Sequence, residues 1–242
     1  GLKYVKARLG KEHLKAGDLF SCSGIVARFL KKHSEELIVN DLEEYSRLVN
    51  TCYLSNSGEV DGLELERHYR RLLRYMETHE SPGFITELYA PRNPERITAE
   101  DRVFYTRRNA LYLDTARQTI NLLPEEVRPY FIAPLLAEAS IHANTAGVFK
   151  GFYKDKQGVG KFGGSGGNAL SRILGDISLQ FPVFSRFDCR YSIHCRDANE
   201  LAEELPEMDV VYLDPPYNQH PYGSNYFMLN LLSSYKRPEK IS

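Results

Sequence analysis

An acid, two prolines and an aromatic ring follow one another at Asp214-Pro215-Pro216-Tyr217, directly after the apolar run Val210-Val211-Tyr212-Leu213. The run predicts a short buried strand. Two successive prolines cannot continue a sheet, so the strand stops there with its backbone fixed. A carboxylate, two backbone carbonyls and a ring are thereby displayed at the carboxyl end of a strand. In open α/β sheets that edge is where ligands sit. Asp before proline is also ordinary turn chemistry, so the tetrapeptide needs company.

Company comes from two further acids. Asp41 follows the predicted strand Leu37-Ile38-Val39, and Asp197 follows Arg190-Tyr191-Ser192-Ile193-His194-Cys195. In a parallel sheet the three strand ends share one edge. A fourth element points the same way. Asp18-Leu19-Phe20 ends a first strand, Ser21-Cys22-Ser23-Gly24 is a small-residue turn, and Ile25, Val26, Phe29 and Leu30 then recur at helical spacing. Such a turn lets the backbone approach a ligand at a helix N-terminus. Asp41, 17 residues after Gly24, stands where an acid accepts hydrogen bonds from ribose hydroxyls. It also precedes LEEYSRLVNTCYL, where it could cap a helix. Turn and acid together favour an adenosine-containing ligand.

The elements that position these residues alternate β and α near both ends of the chain. Residues 1–14 predict a helix. From about Ser57 the rhythm stops. Leu65, Tyr69, Leu72, Leu73 and Met76 share one helical face, 81–106 reads as loop, and Ala110–Leu123 and Glu125–Asn144 read as helices with His142 as a packed histidine. Between Gly147 and Gly167 stand eight glycines in 21 residues, with Lys150, Lys154, Lys156 and Lys161 interleaved with Phe149, Phe152, Tyr153 and Phe162. Basic and aromatic side chains on a flexible backbone can follow phosphates and stack on bases. Asn168–Gln180 predicts a helix with Leu170, Ile173, Leu174 and Ile177 inward.

At 242 residues, 42% hydrophobic and 26% charged, the chain has a globular composition. It shows no signal peptide and no run of the roughly 20 apolar residues that a membrane span needs. Cys22, Cys52, Cys189 and Cys195 form no C-x-x-C pair, which disfavours zinc and suits free thiols in a reducing cytoplasm. A net charge of −1 argues against a protein that coats nucleic acid and leaves room for a local basic surface.

In combination, DLFSCSG (18–24), Asp41 in IVNDLE, CRDANEL (195–201) and VVYLDPPYNQHPYGSNYFMLNLL (210–232) resemble the Dam-like, alpha-group adenine-N6 DNA methyltransferases of bacterial restriction–modification systems. Motif order is that of the alpha group, with a helical insertion before the DPPY strand. The resemblance implies a Rossmann-like α/β sheet that binds S-adenosylmethionine (SAM), built from 1–57 and 188–242. Residues 58–187 would be a mostly helical insertion whose Gly-rich segment is the target-recognition region. It also implies a cytoplasmic bacterial enzyme, duplex DNA and a cognate restriction endonuclease as partners, and neither metal nor membrane. Two departures stand out. Cys22 occupies the position of the middle glycine of F-x-G-x-G and would be strained if that position needs positive φ. The family's N-terminal motif and C-terminal strands are not recognisable, so the chain is expected to be truncated at both ends.

The resemblance assigns roles. Asp214 and the Pro215 carbonyl would accept from the adenine amino group, Pro216 would hold the turn rigid and Tyr217 would stack on a base flipped from the duplex. Phe20, Ser21, Cys22, Ser23 and Gly24 would line the methionine end of SAM, Asp41 and Leu42 its ribose, and Asp197 and Ala198 its adenine. Lys150, Lys154, Lys156 and Lys161 would meet DNA. Asn218, Tyr222 and Asn225 would belong to a loop closing over the base, with Gly223 as hinge. Cytosine-N4 DNA methylation, adenine methylation in RNA and a non-catalytic SAM- or DNA-binding fragment remain open as alternatives.

Overall fold

The structure is a computed structural model and describes residues 1–147, 149–164, 167, 169–217 and 221–239. The chain begins α1 (Leu2–Leu9), β1 (Leu14–Asp18), α2 (Ile25–Lys31), β2 (Ser34–Asn40) and α3 (Glu44–Leu54). It continues α4 (Gly62–Met76), α5 (Phe84–Leu88), α6 (Arg107–Ile120), α7 (Arg128–Ile141) and α8 (Leu170–Leu174). It closes with β3 (Arg190–His194), α9 (Ala198–Glu204), β4 (Val210–Tyr212) and α10 (Tyr222–Ser234). Two compact units result: Gly1–Leu65 with Pro182–Asn218, and Glu66–Phe181 with Gln219–Ser242.

In the first unit four strands lie parallel in the order β3-β2-β1-β4. Alternation along β2 sends side chains to both faces. Leu37 and Val39 join Ala16, Ala27, Leu30 and Leu54 in one buried cluster, while Ile38 meets Leu19 and Leu201 in another. Helical residues therefore cover each face, from α2 and α3 on one side and α9 on the other. This is the two-sided burial that parallel sheets require and the expected Rossmann-like arrangement. The first helix is shorter than expected. Gly10, at φ 66°, ends it in the left-handed conformation that caps helices, and Leu14 already begins β1.

The DPPY strand departs from expectation too. Among the described residues it lies at the edge of the sheet, bonded to β1, and it is not fully buried: Val211 keeps 36% of its surface exposed and Tyr212 39%. An apolar run of four residues is compatible with either environment, so the sequence does not decide between them.

In the second unit α10 packs on α7, and α6 on both α5 and α7. Arg117 of α6 is buried and donates to the carbonyls of Leu232 (2.5 Å) and Ser233 (3.1 Å) at the end of α10. The last helix thus groups with this unit, whereas the sequence carried the catalytic part through residue 242. The expected loop 81–106 contains α5. Its first amides are held by the buried Asp114 carboxylate, which accepts from Gly83 (2.9 Å), Ile85 (3.2 Å) and Thr86 (2.7 Å). The expected helix 168–180 shrinks to α8, and Leu170 and Leu174 are exposed while Ile173 and Ile177 are buried. A side chain takes over from the helix backbone there. Asn109 donates to the Gly175 carbonyl (2.8 Å) and accepts from Ile177 N–H (3.1 Å).

The Gly-rich stretch is also more ordered than its composition suggests. Residues 153–161 form a tight hairpin: Asp155 N–H donates to Val159 O (2.8 Å) and Lys161 N–H to Tyr153 O (2.9 Å). Phe149 is buried, and Phe152 lies edge-on to Phe104 at 5.2 Å. These rings serve packing, which corrects the expectation that they are free to stack on bases.

Candidate active site

The carboxyl edge of the sheet is tied together by one side chain. Asn40, buried at the end of β2, donates through Nδ2 to the carbonyls of Leu19 (3.2 Å) and Arg196 (3.1 Å), and its Oδ1 accepts from Arg196 N–H (3.2 Å). The segments following β1, β2 and β3 are thereby fixed against each other. Sequence reasoning passed over Asn40. A buried amide has more donors and acceptors than one strand end can satisfy, and this is the signal that an asparagine at a strand terminus could have given.

Across this edge the turn 20–24 is locked from both sides. Cys22 N–H donates to Asp41 Oδ2 (2.7 Å), and Gly24 N–H closes the turn on the Ser21 carbonyl (2.7 Å). The Ser21 hydroxyl points into the protein, 3.1 Å from Ser46 Oγ and accepting from Asn50 Nδ2 (3.0 Å). As a cofactor candidate Ser21 therefore retains its backbone, and its side chain is structural. Gly24 has φ 72°, and a Cβ there would lie 2.4 Å from Asn50 Oδ1, so only glycine fits. Cys22 has φ 49°, a left-handed conformation that the sequence flagged as strained for cysteine. Its thiol lies 3.0 Å from the Tyr45 hydroxyl. Strain makes a direct prediction. Cys22→Gly should unfold at the same urea concentration or higher despite losing the thiol contact, whereas Cys22→Val should lose about 1–2 kcal/mol. Equal losses in both variants would remove strain from the explanation.

Asp41 is buried, and its second oxygen accepts from Glu43 N–H (3.0 Å). The cap position of α3 belongs to Glu43, so Asp41 shapes the turn before the helix. Leu42 beside it is exposed, and Phe20 and Ala198 pack against the Leu19–Ile38–Leu201 cluster. Asp197 is an exposed N-cap of α9, accepting from Asn199 (2.8 Å) and Glu200 (3.4 Å). Those amides hold its carboxyl below the usual range.

The sequence counted three strand-end acids and missed a fourth. Asp18 closes β1, pairs in register with Val39 and Tyr212, and is fully buried. Neither carboxylate oxygen has a hydrogen-bond partner of good geometry among the described residues, although the backbone amides of Phe20 and Ala27 lie near enough to favour its charge. Burial pushes its carboxyl up to about 6; the Phe20 and Ala27 amides oppose the rise, and the charges of Asp41 and Asp214 add to it. Asp18 therefore senses the charge of the other two carboxylates at this edge. The signal was available: Asp18 precedes the small-residue turn as Asp41 precedes its helix.

The sign of this shift is testable. A folded acid with a raised pKa binds its proton more tightly than the unfolded chain does. Stability falls as pH rises from about 4 to about 6, then stays lower by about 3 kcal/mol. Asp18→Asn should be the more stable protein at pH 8, by about 1–3 kcal/mol. The gap should close at pH 4 in urea melts, and a gap independent of pH would refute the buried charge.

Asp214, Pro215, Pro216 and Tyr217 are all exposed at the tip of β4, and Tyr217 shows 94% of its surface. Among the nucleic-acid candidates, Lys150, Lys154, Lys156 and Lys161 are exposed, with Lys154 lying 5.0 Å from the Phe152 ring. The expected closing loop is corrected from Tyr222 onward. Tyr222, Gly223 and Asn225 are in the first turn of α10, so Gly223 is no hinge, and Asn225 is buried. Tyr222 rests against Tyr226 at 5.1 Å. Asn218 lies outside the described residues. Among the described residues no His, Cys, Asp or Glu cluster could hold a metal, and no helix is long and apolar enough to cross a membrane.

Known proteins resemble this chain along most of its length. The chain is 29% identical over 224 residues to the type II methyltransferase M.NlaIII of Neisseria lactamica, covering 90% of this chain and 60% of that protein. It is 30% identical over 234 residues to the type II methyltransferase M.CviAII of Paramecium bursaria Chlorella virus 1, covering 93% and 63%. Against the type II methyltransferase M.FokI of Planomicrobium okeanokoites it is 28% identical over 235 residues, 92% of this chain and 33% of the relative. The chain thus spans less than two thirds of the length of these relatives. No solved structure matches it significantly. Residues 3–241 match the family described as D12 class N6 adenine-specific DNA methyltransferase, and the chain belongs to that family.

Proposed function

We propose that the protein containing this chain transfers a methyl group from SAM to the exocyclic N6 of an adenine flipped out of duplex DNA. The observation that carries the reading is the exposed Asp214-Pro215-Pro216-Tyr217 tip on the strand beside β1, whose own end holds an orphaned buried acid, in a chain of this family. A cationic donor suits that edge. SAM carries a sulfonium and an ammonium, and Asp18 is a buried carboxylate without a hydrogen-bonded partner. Asp18 would balance that positive charge, Asp41 would accept from the ribose hydroxyls, and Leu42, Asp197 and Ala198 would border the adenine. The backbone of Phe20 to Gly24 would border the methionine end.

SAM supplies an already activated methyl group, so the protein's task lies with the acceptor. The N6 lone pair of adenine is delocalised into its ring. Two acceptors on the amino hydrogens, Asp214 and the Pro215 carbonyl, would draw that nitrogen toward a nucleophilic geometry and stabilise the charge that develops on it. Pro216 keeps the carbonyl in place, which supplies orientation. An exposed Tyr217 ring is free to recover stacking that the base loses on leaving the duplex. The exposed lysines of the 153–161 hairpin, with Lys150, would meet phosphates. Tyr222 and Asn218 are further candidates, and Asn225 would act only through α10. The type II relatives suggest a cognate restriction endonuclease as a partner. Free thiols fit a bacterial cytoplasm.

The test is a methylation assay on the full-length protein with labelled SAM and duplex DNA. N6-methyladenine among the hydrolysed products is expected. Label found only in N4-methylcytosine or in RNA would replace this reading with one of its alternatives.

A further inference from the structure

Away from the sheet, the second unit holds a pocket of about 630 Å³ lined by Gly83, Thr86, Glu87, Arg92, Arg107 and Arg237, among others. Three guanidinium groups face it against one carboxylate. Glu87 and Arg237 are forked together, both bonds at 2.7 Å, which fixes the Arg237 plane and leaves positive charge in excess. Arg92 and Arg107 also line the pocket, and the charge of Arg92 is felt by the Glu87 and Asp101 carboxyls, which it helps to hold below the usual range. Arg107 is the first residue of α6, whose Thr106 cap accepts from Asn109 N–H (3.1 Å), so the positive end of that helix opens beside it. Arg92 is set by its own backbone: its N–H donates to Asp101 Oδ1 (3.0 Å).

The floor is rigid. The Asp114 carboxylate that holds α5 also accepts from the Thr86 hydroxyl (2.6 Å) and the Tyr235 hydroxyl (2.6 Å). Gly83 lies so close that a Cβ would be 2.5 Å from Tyr235 Oη and 2.7 Å from Asp114 Oδ1. Arg237 is already held by Glu87, and the planar forks of the arginines suit phosphate oxygens. The whole chain carries a net charge of −1, so attraction for a polyanion must come from local clusters such as this one.

We infer that this pocket is a second DNA contact, one that grips a backbone phosphate through Arg92, Arg107 and Arg237 independently of base sequence. The inference rests on the DNA-methylation reading and adds a site outside the Gly-rich hairpin. Phosphate contacts release counterions, so each steepens the salt dependence of binding.

The test uses the full-length protein and measures duplex affinity by fluorescence anisotropy across a salt series, on duplexes that it does and does not methylate. The Arg92→Ala/Arg107→Ala variant should bind both duplexes about 10-fold more weakly, with the slope of log K against log salt reduced by about 1. SAM affinity and melting temperature should not change. Glu87→Gln, which frees Arg237 and removes the acid that lines the pocket, should strengthen binding to both duplexes, a gain that misfolding cannot produce. An unchanged slope in the double variant, with the wild type binding normally, overturns the pocket and leaves the proposed function standing. Loss confined to methylated sequences overturns it also, because the contact would then read bases. If the variant loses affinity for inorganic phosphate or ATP but not for DNA, the pocket serves a small anion and the inference fails. A wild type that binds no duplex brings down the proposed function along with it.

Discussion

On the proposed function, Asp214→Ala in the full-length protein is expected to lose methylation by about 10²–10³-fold or more in kcat, the range seen when one preorganised electrostatic partner is removed from a transition state. Its affinity for SAM and its melting temperature should stay close to wild type, because Asp214 is exposed at the tip of β4 and exposed substitutions seldom cost more than about 0.5 kcal/mol. The three readouts belong together. A stability loss matching the activity loss would make Asp214 a structural residue, and near-wild-type turnover would remove it from the chemistry. Asp214→Asn keeps an acceptor oxygen without the charge and is expected to fall between the two.

Asp41→Ala has the second largest expected effect, in binding and not in turnover. Its carboxylate would lose the two ribose hydroxyls, and charged hydrogen bonds of this kind are worth about 1.5–3 kcal/mol each. SAM affinity should fall about 100-fold or more, measured by calorimetry or filter binding. The fold is touched as well, since the amides of Cys22 and Glu43 lose their acceptor. Asp41→Asn can accept from only one of those two amides and turns an NH2 donor on the other, so it should recover only part of the stability and little of the affinity. If both variants bind SAM as tightly as wild type, Asp41 only shapes the turn.

The sheet edge was legible because parallel strands leave clear local marks: short apolar runs that each stop at an acid. Asp41, Asp197 and Asp214 could be read this way. Asp18 carried the same mark, an acid before a turn, but what sets it apart, burial without a well-placed partner, is a tertiary fact. The same reason hid Asn40, whose bonds run to Leu19 and Arg196. In the insertion, composition misled where long-range side chains replace local order. Asp114 builds α5 inside an apparent loop, Asn109 ends α8 early, and a glycine-rich stretch closes into a hairpin around packed aromatic rings. The exposure of the DPPY strand was undecidable from four apolar residues, because an edge and a centre can share one pattern.

The frame of the site and its charge answer to different variables. Asn40, which clasps three strand ends, has no proton to gain or lose, whereas Asp18 between Asp41 and Asp214 takes one up near pH 6. Mild acid would therefore leave the architecture intact, even slightly firmer, while emptying one negative charge from its centre. Ligand affinity at this edge, and not the fold, is then the property that mild acid would change.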